Sequence, residues 1–138
     1  MKKSNAGFTL IELMIVVVIV GVLAALAVPR FMRAATKSKQ SEAREILKQV
    51  YTMQRAYFVE HENYCLNGVT ASAAVPLAYS ILAIEIMPTA RYTYVINITG
   101  PGQFSCTATG NLDDDATIDT WQINETGTLV NLVDDSVL

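Results

Sequence analysis

The sequence predicts an α+β chain: one long N-terminal α-helix, membrane-spanning in its first half, packed against a small C-terminal antiparallel β-sheet. Three observations carry this. Residues 8–28 form an apolar run of 21 in which only Thr9 and Glu12 are plainly polar. Residues 43–57 repeat apolar side chains at three- and four-residue steps, the pattern of one helix face. From Tyr92 onward, short alternating segments are separated by turn-forming residues, the pattern of an antiparallel meander.

At ~1.5 Å per residue the run from Phe8 to Val28 makes a helix about 32 Å long, the thickness of a hydrocarbon core. A carboxylate within such a helix is costly in lipid, so Glu12 reads as functional; the other reading is a helix-start residue favoured by the helix dipole. Ahead of it, Met1 to Gly7 carries Lys2 and Lys3 and no apolar core of its own. In a secretory signal the apolar region precedes the cut; here it follows the expected cut and stays with the protein. Pro29 removes an amide donor and clashes with the preceding turn, so a kink or local melting is expected there. Gly21, eight residues earlier, weakens the helix by about 1 kcal/mol relative to alanine.

Beyond Pro29 the stripe Ala43, Ile46, Leu47, Val50, Met53, Ala56 and Tyr57 marks an amphipathic face, with Lys39, Arg44, Lys48 and Arg55 largely off it. One helix is therefore expected from about Thr9 to about Glu60, broken or bent near Pro29. Residues 61–90 read as a connecting loop with Asn63, Asn67, Gly68, Pro76 and Pro88 as turn formers. Within it, Leu77 to Ile86 reads either as a short helix or as an apolar loop over the sheet. His61, the single histidine, has no second imidazole or nucleophile signature and reads as a surface residue at a helix end. In the sheet, Tyr92, Tyr94, Ile96 and Ile98 share a face of the first strand. Phe104, Cys106 and Ala108 share one of the second, and Trp121 and Ile123 one of the third; a last strand lies around Thr128 to Leu132.

Charge divides the chain. Residues 1–60 hold nine of the ten lysines and arginines against four acids, a net of +5, while residues 61–138 hold Arg91 alone against nine acids, a net of −8. This reads either as attraction between stacked copies or as a solvated basic helix beside an acidic, soluble head. Cations flanking the span would by themselves place the head in the cytoplasm, since Arg30, Arg33, Lys37 and Lys39 outnumber Lys2 and Lys3. The basic stretch from Arg30 to Lys48 is a weak nucleic-acid candidate, because interleaved acids and its place beside the span argue for subunit contacts.

Cys65 and Cys106 fit no metal spacing. They read either as one disulfide, worth about 4 kcal/mol in the chain-entropy model, or as two buried thiols. Asp113, Asp114, Asp115 and Asp119 are candidate calcium ligands, although their spacing lacks the glycine of the twelve-residue calcium loop; the other reading is a solvated acidic turn. Asn97-Ile98-Thr99 and Asn124-Glu125-Thr126 fit the glycosylation triplet. With no phosphate-cradling glycine loop, paired catalytic acids or metal-ligand motif legible, neither an enzyme activity nor a cofactor is expected.

The basic leader ending in Gly7, the sequence Phe8-Thr9-Leu10-Ile11-Glu12-Leu13 and the long apolar helix resemble the type IV pilin family, including the related pseudopilins of type II secretion. The tract from Ala108 to Trp121 looks like the C-terminal part of type IVa pilins and their minor relatives. The resemblance implies the pilin fold: leader 1–7, anchor and filament-core helix 8–28, amphipathic helix 29–60 continuing into the head, connecting loop 61–90 and sheet 91–138, with the N-terminus inside and the head outside, which overrules the count of flanking cations. It implies that a prepilin peptidase cleaves between Gly7 and Phe8 and N-methylates Phe8. Assembly would rest on Glu12 and Thr9, with Glu12 meeting the new amino terminus of a neighbour, and the Gly21 to Pro29 interval would unwind in the filament. The implied partners are copies of itself in a helical filament, the peptidase, an inner-membrane assembly machine and, before assembly, the membrane. The expected function is a structural subunit of an extracellular pilus serving adhesion, motility or DNA uptake. The alternatives are a type II secretion pseudopilin and a monomeric membrane-anchored binding module.

Overall fold

A computed structural model describes residues 7–113 and 115–136, in two compact units whose boundary falls between Ala34 and Ala35. Residues 1–6 of the expected leader and Asp114 lie outside the described residues. One helix, α1 (Leu10–His61), runs through both units. It begins and ends one residue later than the sequence pattern suggests.

In the first unit α1 is exposed throughout, and from Leu13 to Val28 it is apolar on every side. A helix of this kind satisfies its backbone groups internally and can therefore stand in hydrocarbon. Pro29 sits inside α1 without ending it.

The second unit is the α+β body. Its part of α1 buries Thr36, Gln40, Ala43, Leu47, Val50 and Gln54, a stripe stepping alternately by four and three residues. Ile46, Met53 and Tyr57, expected on that stripe, are half-buried, and Ala56 is exposed. Polar side chains occupy the stripe because the surface they meet is partly polar, as the functional site shows below.

The sheet has five strands in sequence order, all antiparallel: β1 (Thr70–Ala71), β2 (Thr93–Gly100), β3 (Gln103–Gly110), β4 (Asp119–Asn124) and β5 (Leu129–Val133). β1, only two residues long, is the strand the sequence pattern did not reveal. Register pairs Ile96 with Cys106, and Cys106 with Ile123, so one row of inward side chains crosses the three central strands. Tyr92, Tyr94, Ile96, Phe104, Cys106, Ala108 and Ile123 form a single buried cluster with Ala43, Leu47 and Val50 of α1. Removing this much apolar surface from water, at roughly 25 cal/mol per Å², is the main force holding helix to sheet.

Leu77 to Ile86 resolves into turns around one short 3-10 segment, Ser80–Leu82. Tyr79, Leu82, Ile84 and Ile86 are buried and join the same cluster. Between β4 and β5 the turn places Gly127 at φ +78°, and a Cβ there would meet the Tyr51 ring at 3.0 Å. Both the backbone and the space demand glycine.

Candidate functional site

The start of α1 carries the first site. Thr9 caps the helix, and the Glu12 carboxylate folds back onto it: Oε2 accepts from the Thr9 amide at 2.8 Å and from the Thr9 hydroxyl at 2.6 Å. In return Thr9 Oγ1 accepts from the Glu12 amide at 3.3 Å. This is a reciprocal capping box, which supplies partners for amides that a helix start leaves unbonded. Both bonds to the carboxylate fall on Oε2. Phe8, next to the box, is 88% exposed. Downstream, α1 contains an apolar window long enough to cross a membrane, none of it buried within the chain. Gly21 lies within it, with open space where a side chain would be.

The second site lies at the acidic end of the body, where the sequence suggested calcium ligands. Asp119 is fully buried and its carboxylate is saturated. Oδ1 accepts from Gln40 Nε2 at 2.8 Å and from the Asp135 amide at 3.1 Å. Oδ2 accepts from Tyr92 Oη and Trp121 Nε1, each at 2.6 Å. Four donors on one carboxylate balance the cost of burying it and tie α1, the residue leading into β2, β4 and the segment after β5 together. Asp113 and Asp115 meet a different partner, Asp135, with ligand oxygens of the three within 4.8 Å of one another.

Two further groups were not singled out by the sequence. Gln54 closes the end of α1 onto the loop: its Nε2 donates to Cys65 O at 2.8 Å and its Oε1 accepts from the Cys65 amide at 3.2 Å. Gln40 donates from the same nitrogen to Asp119 and to Asp134 Oδ1, at 2.8 Å each. The signal was present, since residues 40 and 54 continue the 43–47–50 spacing. Asp134 is held below the ordinary carboxylate range, chiefly by Ser136 and then by Gln40.

Cys65 and Cys106, the candidate disulfide, are free thiols in this structure. Burial pushes Cys106 up to about 12 and also raises Cys65. His61 is exposed and stacks on Tyr57 with ring centroids 4.0 Å apart.

An apolar N-terminal helix that opens with a carboxylate-bearing cap, together with an α+β head, defines a class of membrane-anchored proteins. Comparison with known proteins narrows the class. Residues 2–28 match the prokaryotic N-terminal methylation motif. The chain is 57% identical over 63 residues to the type IV major pilin protein PilA of Myxococcus xanthus, covering 46% of this chain and 29% of that one. It is 37% identical over 76 residues to the type IV major pilin protein PilE1 of Neisseria gonorrhoeae, covering 55% and 46%. To the type II secretion system core protein G of Pseudomonas aeruginosa it is 38% identical over 63 residues, covering 46% and 44%. The chain spans less than half the length of each of these relatives. The motif and the relatives together support the type IV pilin family for this chain.

Proposed function

We propose that this chain is a structural subunit of a type IV pilus, polymerising through its N-terminal helix into an extracellular filament. The observation that carries the reading is the exposed apolar helix with Glu12 poised one turn from Phe8. As a precursor the chain spans the bacterial inner membrane once, with its head outside. A prepilin peptidase removes residues 1–7 and methylates the Phe8 amine. The capping box survives this cut, because it is built from Thr9 and Glu12 alone. Glu12 then accepts the Phe8 ammonium of a neighbouring copy through the oxygen that Thr9 leaves unused.

Opposite charges attract strongly in an apolar filament core, yet desolvating both is costly, so the pair selects register more than it adds stability. A misplaced copy leaves one charge unpaired. The apolar surfaces meanwhile exchange lipid for one another, a near-neutral step that an inner-membrane machine can drive in either direction. The interval from Gly21 to Pro29 is where the helix gives way on assembly, since both residues weaken it. Adhesion, motility and DNA uptake are the roles such a filament serves.

Mass spectrometry of filaments sheared from intact cells tests this. A dominant chain beginning at methylated Phe8 is expected; chains still beginning at Met1 would overturn the reading. A second reading, a type II secretion pseudopilin, is favoured by the similarity to core protein G. For that reading, a deletion strain loses exoprotein release and no surface filament contains the chain.

A further inference from the structure

We propose that the face of the sheet turned away from α1 is a self-association surface, through which filaments of this chain pack side by side. The inference rests on the filament reading. Side chains alternate across a strand, so the residues between the buried ones of β2, β3 and β4 point the other way. Register aligns them in rows: Thr93 beside Thr109 and Thr109 beside Thr120, then Val95 beside Thr107 and Thr107 beside Gln122, then Asn97 beside Ser105. Asn97 is exposed and the others are half-buried, the burial that like neighbours on an uncovered sheet give one another. None of these side chains carries a charge, although residues 61–138 hold nine acids against one arginine. Solvated faces ordinarily carry charges of both signs, which keep copies apart, so a neutral face on so acidic a head calls for a use.

The occupant this chemistry selects is a second copy. A hydroxyl or side-chain amide both donates and accepts, so such a face can satisfy an identical one, which a face of lysines or of glutamates cannot. Among the described residues the hydroxyls of Thr93, Thr109 and Ser105 have no partner within the chain, while Gln122 Nε2 donates to Thr107 Oγ1 at 3.2 Å. The acidic heads repel one another, and the neutral face is where two of them approach at least cost. At ~4.8 Å between strands and ~6.7 Å between same-face residues, three rows on three strands cover roughly 300 Å² per copy. Two such faces bury about 600 Å², well below the ~1,200 Å² of a stable pairwise interface, so single chains stay apart. A filament repeats the face at every copy, and two filaments of one repeat are commensurate, so weak contacts add along their length.

The test is low-speed sedimentation and electron microscopy of filaments sheared from intact cells, across a sodium chloride series. Native filaments should pair side by side, and the pelleted fraction should rise several-fold from ~0.01 to ~1 M salt, as the Debye length falls from ~30 to ~3 Å and screens the heads' repulsion. Contacts built from charge pairs weaken over the same range. Thr107→Glu buries a charge between the two faces, a cost that salt does not remove, and should leave filaments single at native yield. Thr107→Gln, neutral and able to donate and accept, should keep them paired. If Thr107→Glu makes no filament, Asn97→Asp decides the matter, because it adds a charge on the same face at an exposed residue without changing shape. Native filaments that stay single at every salt concentration, or pairing that weakens as salt rises, overturn the proposal and leave the pilus reading standing. Native-like pairing in Thr107→Glu or in Asn97→Asp overturns it as well, because the contact then lies elsewhere. Cells that make no filament of this chain overturn the pilus reading and this proposal with it.

Discussion

Tyr92 Oη donates a hydrogen bond to Asp119 Oδ2 at 2.6 Å, joining the residue just before β2 to the first residue of β4. The bond is one of four on that carboxylate, and none of the four donors carries a charge. A buried acid held by neutral donors alone is a structural knot. Its value lies in the groups it would strand if it were removed.

Asp119→Ala leaves the Tyr92 phenol, the Trp121 indole, the Gln40 amide and the Asp135 amide short of an acceptor. Stranding buried donors costs roughly 1–3 kcal/mol each when water cannot reach them, and partial relaxation keeps the sum below additivity. A loss of about 3 kcal/mol or more in chemical denaturation is expected. A loss under about 0.5 kcal/mol, the size of an ordinary surface change, would show that the knot does not hold the body together.

Gln54 makes a similar argument at the other end. Its side chain meets both the amide and the carbonyl of Cys65, so the loop after α1 is fastened by one residue. Gln54→Leu keeps the volume and removes both bonds, and should cost about 1–3 kcal/mol. Amide exchange at Cys65 should quicken together with the loss. Unchanged exchange at that amide would refute the assignment.

Alkaline pH should weaken the body well before the backbone is affected. Burial pushes the Cys106 thiol from the ordinary 9.0 up to about 12. Burial likewise raises the phenols of Tyr79, Tyr92 and Tyr94 above their ordinary 10.0, with Cys106 second for Tyr79, Asp119 for Tyr92 and Glu42 for Tyr94. Each group stays neutral in the folded chain at pH values where the unfolded chain has ionised it. Their contribution is whole below the unfolded value and is lost as pH rises through the folded one. Denaturation midpoints should therefore fall steadily above pH about 9, and a flat profile there would contradict the burial of these groups.

The helix and the meander were legible because each follows from periodicity: an apolar run, a three-and-four stripe and alternating strands. Glu12 stood out for a related reason, as a charge where composition forbids one. What periodicity could not show is polar burial. Gln40, Gln54 and Asp135 lie in buried positions only because distant segments supply their partners, 11 to 94 residues away. Asp119 looked like one more acid in a run of acids, and its four donors come from α1, the residue before β2, its own strand and the segment after β5. β1 was invisible because a two-residue strand carries no period.

The capping box allows the two readings of Glu12 to be separated. Glutamine at the third helical position can serve the box as glutamate does, so Glu12→Gln keeps the helix start and removes only the charge. Thr9→Ala does the reverse: it loses the cap, at about 1 kcal/mol, and keeps the carboxylate. If Glu12 pairs with a neighbour's amino terminus, Glu12→Gln should abolish surface filaments while the chain still accumulates in the membrane, and Thr9→Ala should leave filaments at reduced yield. If Glu12 serves only its own helix, the order reverses, with Thr9→Ala the more damaging change and Glu12→Gln close to native. Filament yield from sheared cells, measured for the two variants beside the membrane pool of each, decides between them.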